Sequence, residues 1–246
     1  MKTPPAEKFF SGPTLTLAQA IEEGDLAEVD ALAGTVDLNK PGAEDMTLLF
    51  FALHSAFGEK PKQLEILSHL VKAGADPLQQ VPDLGSVLGV SLRARSPLYV
   101  KALLDAGVSP DTRKEGTPIL FDAATEHTFD TLKLLLERGA NPNQKDTLGA
   151  TAAMEALTAM QLDQVEYLLQ HGASAEVVNI NGVSFAGQLE FQLGRQQQGS
   201  PAQRKMIEIR DRIVAQGVAW PPPSRETERE RMRARGQEPG KPLRLQ

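Results

Sequence analysis

The chain has 246 residues, 41% of them apolar and 24% charged, with no cysteine and a formal charge of −6. The absence of cysteine excludes disulfides and thiolate chemistry while leaving the compartment open, and without a run of about 18 apolar residues no membrane span is expected. Of the 26 Lys/Arg and 32 Asp/Glu, residues 221–246 hold seven and four, so a tail of net +3 follows a body of net −9. An acidic body argues against nucleic acid and for a basic protein partner.

Residues 1–13 read as a leader without the apolar run of a signal peptide, with Phe9-Phe10 the only part expected to dock on the first repeat. Thr14 is the expected N-cap of a first helix, which Gly24 breaks, and Leu26, Val29 and Leu32 at helical spacing form a second. A helix is then expected across Met46–Leu53, a lengthened link at Glu59-Lys60-Pro61-Lys62, and a buried face at Leu64, Leu67, Leu70 and Val71. The stretch from Pro82 to Pro110 contains Gly85-Ser86-Val87-Leu88-Gly89-Val90, whose glycines weaken the helix signal. Gly116-Thr117-Pro118-Ile119 opens the next segment, Gly149-Ala150-Thr151 the one after it, and Asn181-Gly182-Val183-Ser184-Phe185 the last. A polar insertion at 194–201 precedes a final helix through Met206, Ile209, Ile213 and Val214. Trp220-Pro221-Pro222-Pro223 is polyproline-like, with Trp220 expected to pack on the segment before it. In the tail, Glu226/Arg229, Glu228/Arg231 and Glu230/Arg233 can pair along a helix that has almost no apolar stripe, so a solvated helix or mobile chain is expected.

Leu134-Leu135-Leu136-Glu137-Arg138-Gly139-Ala140-Asn141-Pro142-Asn143 closes a helix on a left-handed glycine cap and then turns away at proline. The same ending occurs at Val71-Lys72-Ala73-Gly74-Ala75-Asp76-Pro77, Leu104-Asp105-Ala106-Gly107-Val108-Ser109-Pro110 and Leu169-Gln170-His171-Gly172-Ala173-Ser174. Gly74, Gly107, Gly139 and Gly172 are 33, 32 and 33 residues apart. With the Gly-Thr-Pro opening at 116–118, this period resembles that of ankyrin repeats, each a β-turn followed by two helices. The resemblance covers most of residues 14–219 and implies an all-α ankyrin-repeat solenoid of about six helix-turn-helix repeats with short β-turn fingers. It departs from the family where Phe50 and Leu120 stand at the usual histidine of the inner helix, and where Gly217 follows Gly172 by 45 residues. The domain plan is then 1–13 leader, 14–219 repeats and 220–246 Pro-rich, charged tail.

No catalytic constellation accompanies this pattern. Gly182-Val183-Ser184-Phe185-Ala186 approaches a nucleophile elbow but lacks its second glycine and occupies a repeat-opening turn. His54, His69, His127 and His171 have no partner at metal-ligand spacing, and there is no P-loop or dinucleotide fingerprint. No enzyme activity, metal or cofactor is expected.

The resemblance implies protein binding by the turn fingers and inner helices. The candidate contact residues are Asp45, Phe51, His54, Phe57, Asp83, Glu115, Phe121, Glu126, Asp146, Thr147, Met154 and Asn181, with aromatic and Met side chains as anchors. The sequence is also similar to small bacterial ankyrin proteins encoded beside secreted antibacterial effectors. Members of that group act as immunity proteins, several of them periplasmic lipoproteins, and block a toxin such as a type VI phospholipase. This implies one cognate effector in a 1:1 complex and a periplasmic location, with a lipid anchor lying upstream of residue 1. A cytoplasmic scaffold or adaptor with several clients is the alternative, and the polar insertion at 194–201 competes with the fingers as the contact.

Overall fold

The computed structural model describes residues 4–241 and 243. Of the expected leader, Met1-Lys2-Thr3 lies outside the described residues. The chain divides into two compact units at Ser109/Pro110.

The first unit holds three helix pairs: α1 (Gly12–Glu23) with α2 (Leu26–Ala33), α3 (Leu48–Ser55) with α4 (Pro61–Lys72), and α5 (Val87–Arg93) with α6 (Leu98–Asp105). Inner helices α1, α3 and α5 pack in series, as do outer helices α2, α4 and α6. The first helix begins earlier than the sequence suggests. Its N-cap is Ser11 rather than Thr14, and Pro13 lies in its first turn, where a missing N–H costs no hydrogen bond. Phe9 and Phe10 follow a short 3-10 turn (Ala6–Lys8), and both rings meet Phe51 edge-on at 6.3 and 5.6 Å. The Phe9 carbonyl also accepts the Ala43 N–H at 2.7 Å, which ties the leader to the second repeat.

The second unit repeats the plan with α7 (Ile119–Asp122) and α8 (Phe129–Glu137), α9 (Ala152–Thr158) and α10 (Leu162–Gln170), and α11 (Phe185–Leu193) and α12 (Pro201–Ala215). The repeat nearest the family pattern has the shortest inner helix. The chain turns out of α7 after Asp122, and Thr128 Oγ1 donates to the Ala123 carbonyl at 2.9 Å to hold the link. The long insertion becomes a loop over 194–200 and a 15-residue α12 capped by Ser200. The tail after Trp220, itself half-buried, departs from expectation: Arg225–Ala234 is a docked helix, α13, with Met232 and Glu228 buried.

The recurrent glycines act as the sequence requires. Gly74, Gly107, Gly139, Gly172 and Gly217 all have φ between 89° and 107°, and the residue after each donates to the carbonyl five positions earlier, as Ala140 does to Leu135 at 2.9 Å. At the other end of the repeat, Thr47, Ser86 and Ser184 cap α3, α5 and α11 by accepting the N–H of Phe50, Gly89 and Gly187 at 3.0–3.1 Å. Phe50 and Leu120 are buried at the positions where histidine is usual.

Candidate protein-binding surface

The fingers are the most regular exposed feature of both units. In the first unit, β1 (Gln80–Val81) pairs antiparallel with β2 (Gly85–Ser86). In the second, β3 (Arg113–Lys114) pairs with β4 (Thr117–Pro118), and a single antiparallel bridge joins Val178 to Ser184. The fifth and sixth fingers are built alike. Asp146 Oδ1 accepts the N–H of Leu148 and Ala150 at 2.9 and 2.8 Å, and Asn179 Oδ1 accepts those of Asn181 and Val183 at 3.0 and 3.1 Å. Fingers are also cross-linked: Arg113 Nη1 donates to the carbonyls of Gly116 and Lys145, and the Ile180 N–H to the Leu148 carbonyl.

Left-handed backbone at the tips holds carboxylates outward. Glu44, Asp45 and Asp83 in the first unit have φ of 55°, 54° and 62°, and Glu115 in the second has 51°. All four are exposed. Non-glycine residues adopt this region at a cost of about 1–3 kcal/mol, so the surrounding turn must enforce it. Lys8 Nζ reaches Glu44 at 3.0 Å. Lys114 is turned inward onto Asp122, with Nζ–Oδ distances of 2.8–2.9 Å, which leaves Glu115 to set the charge of its tip. Thr147 and Asn181 are exposed tip residues whose backbone carbonyls are occupied by the tail, as described below. Asp146 is half-buried and shapes its finger from within.

The expected anchors divide. Phe51 and Met154 are 1% and 3% exposed and Phe121 is 9% exposed, so these three form core rather than contact surface. Phe51 is closed off by Phe9 and Phe10, whose docking was anticipated without its consequence for Phe51. Phe57 lies beyond the end of α3, in the loop to α4, and is 43% exposed. His54 bridges Phe50 and Phe57, with ring centroids at 5.5 and 5.0 Å, and Phe57 meets Tyr99 of α6 edge-on at 6.1 Å. Burial lowers the His54 pKa from the usual imidazole value. Glu126 is exposed in the α7–α8 link, 3.9 Å from His127 Nε2.

Two apolar tip residues escaped the sequence reading. Leu84 is 40% and Leu148 47% exposed, each immediately before a left-handed glycine, Gly85 or Gly149. The signal was present in Asp83-Leu84-Gly85 and Thr147-Leu148-Gly149, since an apolar residue inside an obligatory turn has no core to enter. Ser184, the nucleophile considered from sequence, has its Oγ engaged as the α11 cap.

Comparisons with known proteins agree with this geometry. Residues 88–179 match the family model for ankyrin repeats, three copies. The chain is 28% identical over 204 residues to the B-cell lymphoma 3 protein homolog of Mus musculus, covering 74% of this chain and 43% of that protein. It spans less than half the length of the curated relatives it matches. The ankyrin repeat domain of Bcl-3, described as a unique member of the IkappaB family, superposes with a TM-score of 0.57 at 26% identity, over 72% of this chain and 80% of that one. A chain from the complex of the predatory endopeptidase Bd0816 of Bdellovibrio bacteriovorus with immunity protein Bd3460 superposes with a TM-score of 0.52 at 21% identity, over 78% and 97%. The chain has the ankyrin-repeat fold and is a protein-binding module of that kind.

Proposed function

We infer that the chain is an immunity protein: a non-enzymatic module that binds one secreted antibacterial effector, a hydrolase such as a phospholipase, and blocks it in a 1:1 complex. The observation that carries this reading is the fingertip chemistry. Exposed carboxylates fixed on left-handed backbone (Glu44, Asp45 and Asp83 in one unit, Glu115 in the other) share the fingertips with an exposed leucine in each unit, Leu84 in the first and Leu148 in the second. Rigid acidic tips steer a basic partner and exposed apolar tips anchor it. The likeness to a chain of the endopeptidase–immunity protein complex extends to the fold alone, and supplies a precedent for this fold in such an assembly. A periplasmic location, with a lipid anchor, accompanies the reading.

The test is co-expression with each secreted hydrolase encoded beside the gene, followed by purification and assay. The reading expects restored growth of the toxin-expressing host, a 1:1 complex and loss of hydrolase activity. Asp45→Lys with Asp83→Lys should weaken the complex at least tenfold. If no neighbouring hydrolase is neutralised, the immunity reading fails. Weak binding to several cytoplasmic proteins would instead support a scaffold.

A further inference from the structure

The segment Arg225–Lys241 belongs to no repeat, yet it lies on the fifth and sixth fingers. The approach is close: a Cβ at Gly182 would stand 2.7 Å from the Arg225 carbonyl oxygen and 2.8 Å from Arg229 Cγ. Gly182, at φ 75°, therefore serves both the turn and the bare floor on which a helix can rest. Arg229 Nε donates to the Asn181 carbonyl at 3.1 Å. Beyond the helix, the Gly240 N–H donates to Ile180 at 2.7 Å and the Leu243 N–H to Thr147 at 2.9 Å. Met232, 9% exposed, lines a cleft of about 320 Å³ with Gly149, Val178 and Ile180.

The hold is slight for an element of this length. Met232 and Glu228 are the buried side chains of the ten in α13. Its ion pairs, Glu228–Arg231, Glu226–Arg229 and Glu226–Arg233, run along its own surface and would survive undocking. Two further clefts of about 330 and 390 Å³ separate it from the repeats. A tethered helix nevertheless stays bound, because tethering supplies an effective concentration in the millimolar range.

We propose that the finger face of the fifth and sixth repeats is a docking surface for an arginine-flanked helix of a protein partner, with α13 as its cis occupant that the partner displaces. The helix that fits carries one unbranched apolar side chain at the Met232 position and a close backbone approach over Gly182. This assignment concerns the class of helix and holds whether or not the partner is a toxin.

The experiment uses the full chain, wild type and Met232→Asp, with a fluorescein-labelled peptide of residues 221–243 as probe. Wild type should bind the peptide weakly, its site being filled. Met232→Asp should release its own helix, red-shift the emission of Trp220 (the chain's one tryptophan) and bind the peptide at least tenfold more tightly. A peptide carrying the same substitution should not bind. Equal binding by both chains, or no binding by a variant whose Trp220 emission has shifted, overturns the proposal. Amide exchange on the unmodified chain tests it independently of any variant. Gly240 and Leu243 should exchange at least 100-fold faster than the α9 core amide of Leu157, and exchange at one common rate would mean a helix that cannot be displaced without unfolding.

Discussion

Asn143 joins two successive repeats through one amide: its Nδ2 donates to the Gly172 carbonyl at 2.8 Å and its Oδ1 accepts the Ser174 N–H at 2.7 Å. Asn39 does the same in the first unit, to Gly74 at 3.0 Å and Asp76 at 2.8 Å. Both groups satisfied belong to the capped end of the next repeat's outer helix, α10 for Asn143 and α4 for Asn39, where the backbone leaves its ladder. Asn143→Ala should therefore cost about 1–2 kcal/mol, the loss of two modest hydrogen bonds at an exposed site. Urea unfolding of the variant measures this, and a change below about 0.3 kcal/mol would show that water replaces the amide without loss.

Phe51 and Phe57 lie six residues apart and carry the same expectation from sequence, but they should behave oppositely. Phe51→Ala opens a cavity beneath Phe9 and Phe10 and should destabilise by about 3–5 kcal/mol. Phe57→Ala removes a ring that is 43% exposed and should cost about 1 kcal/mol or less. Denaturation midpoints of the two variants separate core from surface before any binding is measured.

The repeat period, the glycine caps and the burial of Phe9-Phe10, though not its seat on Phe51 of the second repeat, are legible because each rests on local chemistry: a left-handed position after a helix, or apolar residues in an otherwise polar leader. The fate of Phe51, Phe121 and Met154 is not. Period and residue type place them on inner helices, but whether an inner-helix side chain meets solvent depends on what covers it, and for Phe51 the cover comes from 41 residues away in sequence. The tail was misread for a related reason. Its charges satisfy one another along the helix, so the composition looks solvated, while docking depends on Met232 and on the absence of a side chain at Gly182. Leu84 and Leu148 could have been found by asking which turn positions carry an apolar residue that no helix or strand can bury.

His54 provides a titration test within the aromatic cluster. Burial disfavours its charged form and lowers its pKa below the usual value of about 6.5. Above that value both folded and unfolded states are neutral there, and the contribution to stability is complete. As pH falls below about 6.5 the unfolded chain takes up the proton first, so stability declines until the folded pKa is reached and then levels. An NMR titration of the imidazole resonances should give a His54 midpoint below that of an exposed histidine, and Phe57→Ala, by admitting water, should raise it. A midpoint unchanged in the variant would mean that Phe57 does not provide the shielding.

On the outer helices of the second unit, Glu166 of α10 is held by Lys205 and Arg212 of α12, with Arg212 Nη2 at 3.2 Å and Lys205 Nζ in direct contact. Lys205 also reaches Asp163 at 3.4 Å. The Lys205 hydrogen bond lowers the Glu166 pKa, against an opposing effect of burial, and the same bond raises that of Lys205. For the carboxylate the stabilisation is present above its unfolded value of about 4.3 and is lost as pH falls through the lower folded value. For the ammonium it is present below about 10.4 and is lost as pH rises through the higher folded value. Both partners are partly solvated, so the pair should contribute about 1 kcal/mol or less at neutral pH. Thermal unfolding from neutral pH down through the acid range should show Lys205→Met flattening the acid limb relative to the native chain, with the largest difference at neutral pH and convergence once pH has fallen through the lowered Glu166 value. A variant curve that stays parallel to the native one throughout would show that the contact holds α12 by packing of the Lys205 stem rather than by charge.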